Sequence, residues 1–355
     1  MFEEFIGTKP VSERQKFDVG ALHEYLRQHV DGFSGELTVE QFKGGQSNPT
    51  FKLSAGGQHY VLRTKPGLSA QLLPSAHAID REYRVMDALS KAGFPAARQY
   101  ALCVDESVIG RAFYVMEFIE GRVLWDQSLP DMSKAERGQY YDEMNRVISQ
   151  LHTIDYAAIG LANYGKPGNY FGRQIDRWTH QYKASETEKI EAMDSLMEWL
   201  PQNIPPGDDT SIVHGDFRLD NMMFHPTEPR ILAVLDWELS TLGHPLADFS
   251  YHCMSWHIPP GQFRGIGGLD LPALGIPTED DYIARYCERT GKTIRQEDFR
   301  FYLAYNMFRM AGILQGIMKR TLDGTASSEQ ALKAGKAARP MAEMGWAYAS
   351  GQKKN

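Results

Sequence analysis

The stretch that decides the reading is VHGDFRLDNMMF, residues 213–224, in which His, Gly, two Asp, an Arg and an Asn sit between apolar flanks. Two short strands joined directly would leave no reason for so many polar groups. The segment is therefore either a tight polar turn or a loop shaped for chemistry. Asp216 and Asn221 are five residues apart within it, a spacing that can aim a carboxylate at a hydroxyl proton and an amide oxygen at a metal ion. A little further on, ILAVLDWE (231–238) is an apolar strand that ends in a second carboxylate, Asp236. A carboxylate at a strand end, close to such a loop, is what a magnesium-nucleotide site requires. Phosphoryl transfer asks the protein mainly for aligned oxygens and neutralised phosphate charge.

The chain of 355 residues is long enough for two lobes. Apolar and charged contents of 42% and 23% are those of an ordinary folded protein. No basic cluster followed by an apolar stretch marks the N-terminus, so no secretory signal is expected. Three widely spaced cysteines, Cys103, Cys253 and Cys287, fit a reducing cytoplasm rather than a disulfide framework. The net charge of −7 argues against nucleic acid as a partner. The most apolar late segment, residues 301–320, carries Asn306, Arg309 and Gln315, which are costly in lipid; it reads as a buried helix, not a membrane span. The histidines show no metal-ligand spacing.

Along the chain, DVGALHEYLRQHV (18–30) has a helical apolar stripe, and ELTVEQF (36–42), TFKLSA (50–55) and HYVLRTK (59–65) read as strands. Between the first two strands lies the glycine-bearing KGGQSNP, which taken alone could be a hairpin turn. AHAIDREYRVMDALSKAG (76–93) reads as a helix and RAFYVMEFIEG (111–121) as a buried strand. From about residue 130 long helical patterns dominate, among them residues 133–154 and 176–200. The stretch 261–277 is expected to be a long surface loop. The texture is α+β: a strand-rich lobe over 1–120, a hinge near Gly121, and a mainly helical lobe over 121–355.

On the motif HGD…N with Asp236 after it, the chain resembles the aminoglycoside phosphotransferase family of kinase-like enzymes. HYVLRTKPG, DREYRVMDAL, FYVMEFIEG, FGRQIDRW and LDWELSTLGHPLADFSY point within it to the branch fused to acyl-CoA dehydrogenases in animals and standing alone in bacteria. The resemblance spans roughly residues 30 to 330 and implies a bilobal protein-kinase-like fold that binds ATP and Mg²⁺ and phosphorylates a hydroxyl of a small molecule. It implies that Asp216 is the catalytic base, that Asn221 and Asp236 are the metal ligands, and that Asp248 braces the loop. Gly44, Gly45 and Ser47 match the phosphate-covering loop, where missing side chains let backbone N–H groups approach phosphate. Arg63 stands where kinases carry a phosphate-holding lysine, Glu82 matches its helix partner, and Val61 lies on the same strand face, ready to cover adenine. Met116, Glu117 and Phe118 match the hinge whose backbone meets the adenine edge.

Arginine at position 63 departs from the kinase pattern, although its planar fork suits phosphate and carboxylate together; Lys65 shares its strand face. Residues 301–320 supply Arg309, Lys319 and Arg320 and no acid, which suits a polycationic acceptor poorly. The resemblance implies instead a hydroxyacyl-CoA or related hydroxy acid, with Arg173 and Arg177 as candidate contacts for CoA phosphates. An aminoglycoside- or choline-type kinase and a catalytically weak, kinase-shaped nucleotide-binding module are the alternatives. Protein kinase activity finds no support, because no activation segment of the APE kind follows Asp236.

Overall fold

The computed structural model describes residues 7–43, 48–66, 78–324 and 329–352. It divides into two compact units: residues 1–125 with 155–164 and 219–240, and residues 126–154 with 165–218 and 241–355.

The first unit is built on a six-stranded antiparallel sheet. Its strands are β1 (Thr8–Lys9), β2 (Thr38–Phe42), β3 (Thr50–Ala55), β4 (Gln58–Thr64), β5 (Gln99–Cys103) and β6 (Phe113–Glu117), in the order β1-β2-β3-β4-β6-β5. Alternation sorts the side chains of β3 and β4. Phe51, Leu53, Tyr60 and Leu62 join Leu22 and Leu26 of α1 (Val19–His29) in one core. Helix α1 starts where Asp18 Oδ1 accepts the Ala21 N–H at 2.9 Å. Val61 and Arg63 take the opposite parity. On the cross-strand register Val61 faces Met116 and Arg63 faces Tyr114. Helix α2 (Ile79–Lys91) turns Ile79, Glu82, Val85, Met86 and Leu89 inward. A carboxylate in that stripe is the first sign of a polar site.

Beyond β6 the chain forms β7 (Arg122–Val123). It then enters the second unit through α3 (Lys134–Thr153), opened by a reciprocal Ser133–Glu136 capping box. Helices α4 (Tyr170–Ser185) and α5 (Glu191–Gln202) follow, and β8 (Ser211–Val213) leads into the HGD stretch. The continuous pattern expected over 176–200 is thus two helices, separated at residues 186–190. In the first unit, β9 (Met222–Phe224) and β10 (Ile231–Val234) form a three-stranded antiparallel sheet with β7, in the order β10-β9-β7. The second unit resumes with β11 (Thr241–Gly243), paired to β8, and α6 (Pro245–Cys253), every residue of which is buried. Helices α7 (Leu271–Leu274), α8 (Glu279–Thr290), α9 (Gln296–Leu322), α10 (Glu329–Lys336) and α11 (Ala338–Ala349) complete it.

Helix α9 contains the apolar segment 301–320, and its polar residues are answered inside the protein. Asn306 Nδ2 donates to the Ala247 carbonyl at 2.9 Å and to Ser250 Oγ at 2.8 Å, and Gln315 Nε2 donates to Thr187 Oγ1 at 2.6 Å. Among the described residues no helix is long and apolar enough to cross a membrane. The stretch 261–277 is irregular apart from α7, but it is not all surface: Ile266 and Ile276 are buried. It is pinned by the Ile266 N–H to the Ser255 carbonyl at 2.8 Å.

Candidate active site

Asp216 lies in the second unit, on a loop that its neighbours hold in shape. After Val213 the chain leaves β8 through Gly215, whose φ of 82° is open to glycine and costly for other residues. The loop's two leading amides converge on one carboxylate. His214 N–H donates to Asp248 Oδ2 at 2.7 Å and Gly215 N–H to Oδ1 at 2.8 Å. Asp248 comes from the first turn of α6 and is buried. His152 of α3 places Nε2 3.3 Å from its Oδ2, while His152 Nδ1 meets Tyr286 Oη at 2.8 Å. Burial opposes the charge on Asp248, but His152 and His214 outweigh it and hold its pKa below the usual carboxylate value. The expectation that Asp248 braces the loop corresponds to these bonds.

The Asp216 carboxylate is itself positioned. Tyr251, one turn after Asp248 on α6, donates its hydroxyl to Oδ1, and Arg218 Nε lies 3.1 Å from Oδ2. Burial, and then the charge of Asp216, push the Tyr251 pKa up, so the phenol stays a donor. Behind them Arg309 of α9 donates from Nη2 to the Gly215 carbonyl at 2.8 Å and lies 5.2 Å from the Tyr251 ring centroid. Tyr251 and Arg309 escaped sequence reasoning. Tyr251 had a signal, since it sits three residues after Asp248 on one helix face. Arg309, 94 residues from its partner, had none.

The other expected residues lie in the first unit. Asn221 ends a short 3₁₀ turn, Leu219–Asn221, and its carbonyl accepts the Leu235 N–H at 2.8 Å, continuing the β9–β10 register in which Met222 faces Val234. Asp236 follows immediately with φ 64° and ψ 64°, a left-handed conformation that non-glycine residues keep only where the surroundings enforce it. Its Oδ1 accepts from Arg63 Nη2 at 3.0 Å. Arg63 Nε also lies 2.9 Å from Glu82 Oε2; because the N–H points off that axis, the contact is an ion pair rather than a hydrogen bond. Glu82 is completed by Asn48 Nδ2 at 2.9 Å on Oε1 and the Tyr114 hydroxyl at 3.0 Å on Oε2.

Burial raises the Glu82 pKa, with Arg63 and Tyr114 pulling the other way. Burial would lower that of Arg63, but Tyr114, Glu82, Asp236 and Glu238 together raise it. One buried guanidinium thus bridges a helix carboxylate and the strand-end carboxylate, which a lysine ammonium has no fork to do. Val61 shares the strand face of Arg63 and is buried. At the expected hinge, the Glu117 amide is committed to the Arg98 carbonyl at 2.8 Å, and Lys52 Nζ stands 4.8 Å over the Phe118 ring. Gly44, Gly45 and Ser47 lie outside the described residues. Arg173 bonds the carbonyls of Lys166 and Gly168, a local structural use.

Among the described residues no group of three or more His, Cys, Asp or Glu could hold a metal ion. Asn221 and Asp236 bring one amide and one carboxylate oxygen. That hard-oxygen pair fits Mg²⁺, which takes few protein ligands when phosphate oxygens and water complete its shell.

Comparison with known proteins places the chain in a family. Residues 38–296 match the model of the phosphotransferase enzyme family, APH. A crystal structure from Ralstonia eutropha JMP134, provisionally named an aminoglycoside phosphotransferase, is 70% identical with a TM-score of 0.89; the match covers 95% of this chain and 99% of that one. Acyl-CoA dehydrogenase family member 10 of Mus musculus is 44% identical over 97% of this chain and 32% of its own length. Family member 11 of Homo sapiens is 43% identical over 94% of this chain and 43% of its own length. The chain thus spans less than half of these relatives. Choline kinase from Cryptosporidium parvum shares the fold alone, at 12% identity and a TM-score of 0.65, over 94% of this chain and 97% of that one. The fold is α+β and kinase-like, and the chain belongs to the phosphotransferase enzyme family.

Proposed function

We propose that this protein transfers the γ-phosphate of ATP to a hydroxyl group of a small molecule, a hydroxyacyl-CoA or related hydroxy acid. The observation that carries the reading is the Asp216 carboxylate, fixed by Tyr251 and Arg218 on a loop whose amides Asp248 holds. In this reading Asp216 orients the acceptor hydroxyl and receives its proton. An aspartate side chain is a weak base near neutral pH, so orientation outweighs basicity. Asn221 and Asp236 hold Mg²⁺, which when bound neutralises charge on the phosphate oxygens. Arg63, steadied by Glu82, meets the nucleotide phosphates, with Val61 over the adenine and the backbone of Met116, Glu117 and Phe118 beside it. Gly44, Gly45 and Ser47 cover the phosphates. Functionally, residues 1–120 serve the nucleotide and 121–355 carry the catalytic loop and the acceptor, in the cytoplasm.

Membership of the family, the acyl-CoA dehydrogenase relatives and the lack of acids in residues 301–320 support this choice over a polycationic acceptor. The test is Asp216→Asn with calorimetric Mg-ATP titration beside an ADP-release assay over hydroxyacyl-CoAs, hydroxy acids, amino sugars and choline-like alcohols. Nucleotide binding retained with turnover abolished is expected. Retained turnover removes Asp216 from its role. Binding without turnover of any acceptor by the unaltered protein favours a nucleotide-binding module.

A further inference from the structure

In the second unit a small cavity opens beside Asp216. Gln127, Arg218, Tyr251, Ser255, Phe263 and Arg264 are among the residues around it. Two of these walls are the groups that hold Asp216: Tyr251 on Oδ1 and Arg218 at 3.1 Å from Oδ2. Whatever occupies the cavity is therefore one side chain away from the proposed base. Its volume of about 20 Å³ suits a group the size of one water molecule or slightly larger, the end of a molecule rather than a whole acceptor.

The far wall is held in an uncommon shape. Phe263 and Arg264 both have left-handed backbones, φ 39° and 59°, two consecutive non-glycine residues in a region that side chains avoid. The surroundings enforce this. Gly265 N–H donates to the Gln262 carbonyl at 2.8 Å and Gly267 N–H to the Ile258 carbonyl at 2.9 Å. At Gly265 any Cβ would overlap the Ile258 carbonyl, so the chain closes there on bare backbone. Strain of this kind persists where neighbouring structure over-determines it, typically at ligand sites. The segment puts Arg264 among the residues that line the cavity, together with Arg218. No Asp or Glu stands among the lining residues, and Met254, Ile258 and Phe263 give the remaining wall an apolar surface.

Two arginines, whose planar forks suit a carboxylate, and an apolar wall beside them match a carboxylate on a short hydrocarbon chain. We propose that this cavity is an acceptor subsite for an anionic group, with Arg264 as the residue that reads it and Arg218 shared between that anion and Asp216. The inference rests on the phosphotransfer reading of Asp216 and narrows its acceptor to hydroxylated molecules that carry a negative charge near the hydroxyl-bearing chain.

Calorimetric titration of C4 to C8 hydroxy acids, their CoA thioesters and their uncharged methyl esters, without ATP, tests it on the unaltered protein and on Arg264→Gln and Arg264→Lys. The unaltered protein is expected to bind the free acids at least tenfold more tightly than the methyl esters. Preference for the thioesters, whose phosphates lie a pantetheine arm away from the acyl chain, would place the charge outside this cavity and overturn the subsite. Arg264→Gln should erase the preference with methyl-ester affinity and melting temperature unchanged, and Arg264→Lys should restore part of it. An intact preference in Arg264→Gln, methyl esters bound as tightly as anions, or no binding in any series overturns the subsite. Because binding is read without nucleotide, an intact anion preference with no phosphate transfer would overturn the phosphotransfer reading while leaving the subsite standing.

Discussion

Tyr251→Phe is the sharpest test of how Asp216 is held. The substitution removes one oxygen and leaves the ring, its burial and its contact with the Arg309 guanidinium at 5.2 Å in place. What goes is the hydroxyl donated to Asp216 Oδ1. A hydrogen bond to a charged group contributes about 1.5–3 kcal/mol. At about 1.4 kcal/mol per tenfold in rate, losing it from the transition state lowers kcat by roughly 10- to 150-fold. Arg218, at 3.1 Å from Oδ2, would then dominate the carboxylate's orientation. The Tyr251 contacts with Asp216 and Arg309 both lie within the second unit, whereas Arg63 lies in the first, so the KM for ATP should not move. The assay is coupled ADP release with ATP and acceptor varied in turn, alongside a melting curve showing that the variant is folded. A kcat within twofold of the unaltered protein would refute the claim that the phenol positions the base.

Three further outcomes follow from the geometry. Asp248→Ala removes the partner of the buried His214 amide, of the half-buried Gly215 amide and of His152 Nε2 at once; a loss of about 3–5 kcal/mol is expected, read as a large fall in melting temperature, and a change of only a degree or so would show that the loop is held by other means. Arg63→Lys replaces a fork that reaches Glu82 and Asp236 by a point charge, so the KM for ATP should rise about tenfold with a smaller change in kcat; an unchanged KM removes Arg63 from the phosphate site. His244 and His252 are held neutral, with pKa values lowered to about 4, chiefly by burial. The unfolded chain takes up these protons near pH 6.5 and the folded one only near pH 4, so the unfolded state binds more protons in between. Stability should therefore fall across that window by up to about 3 kcal/mol per group and level off below it. His244 adds a local reason, since its Nδ1 accepts the Leu246 N–H at the start of α6 and cannot do so once protonated. A urea midpoint constant from pH 7 to 4.5 would contradict this.

The sequence was most readable where one residue's neighbours in the chain are also its neighbours in space. Alternation put Val61 and Arg63 on one strand face, and the stripe of α2 turned Glu82 inward. The polar residues of 301–320 marked a helix that needs internal partners, and Asn306 and Gln315 have them. What stayed hidden depends on long loop closures. Tyr251 reaches Asp216 across 35 residues, and Asn48 reaches Glu82 across 34. The break between α4 and α5 carries no glycine or proline to announce it, and local periodicity ran straight through it. Backbone strain at Asp236, Phe263 and Arg264 is likewise set by tertiary closure, since none of these residue types demands a left-handed φ.

The grip of Asp248 on the His214 and Gly215 amides has a consequence for control. The ordering entropy of that loop is settled when the second unit folds, and an arriving ligand does not have to supply it. A loop ordered in this way on folding gives little purchase to an on–off switch of the kind built into flexible activation segments, which works by ordering a disordered strand of chain. Throughput would then track the supply of nucleotide and acceptor.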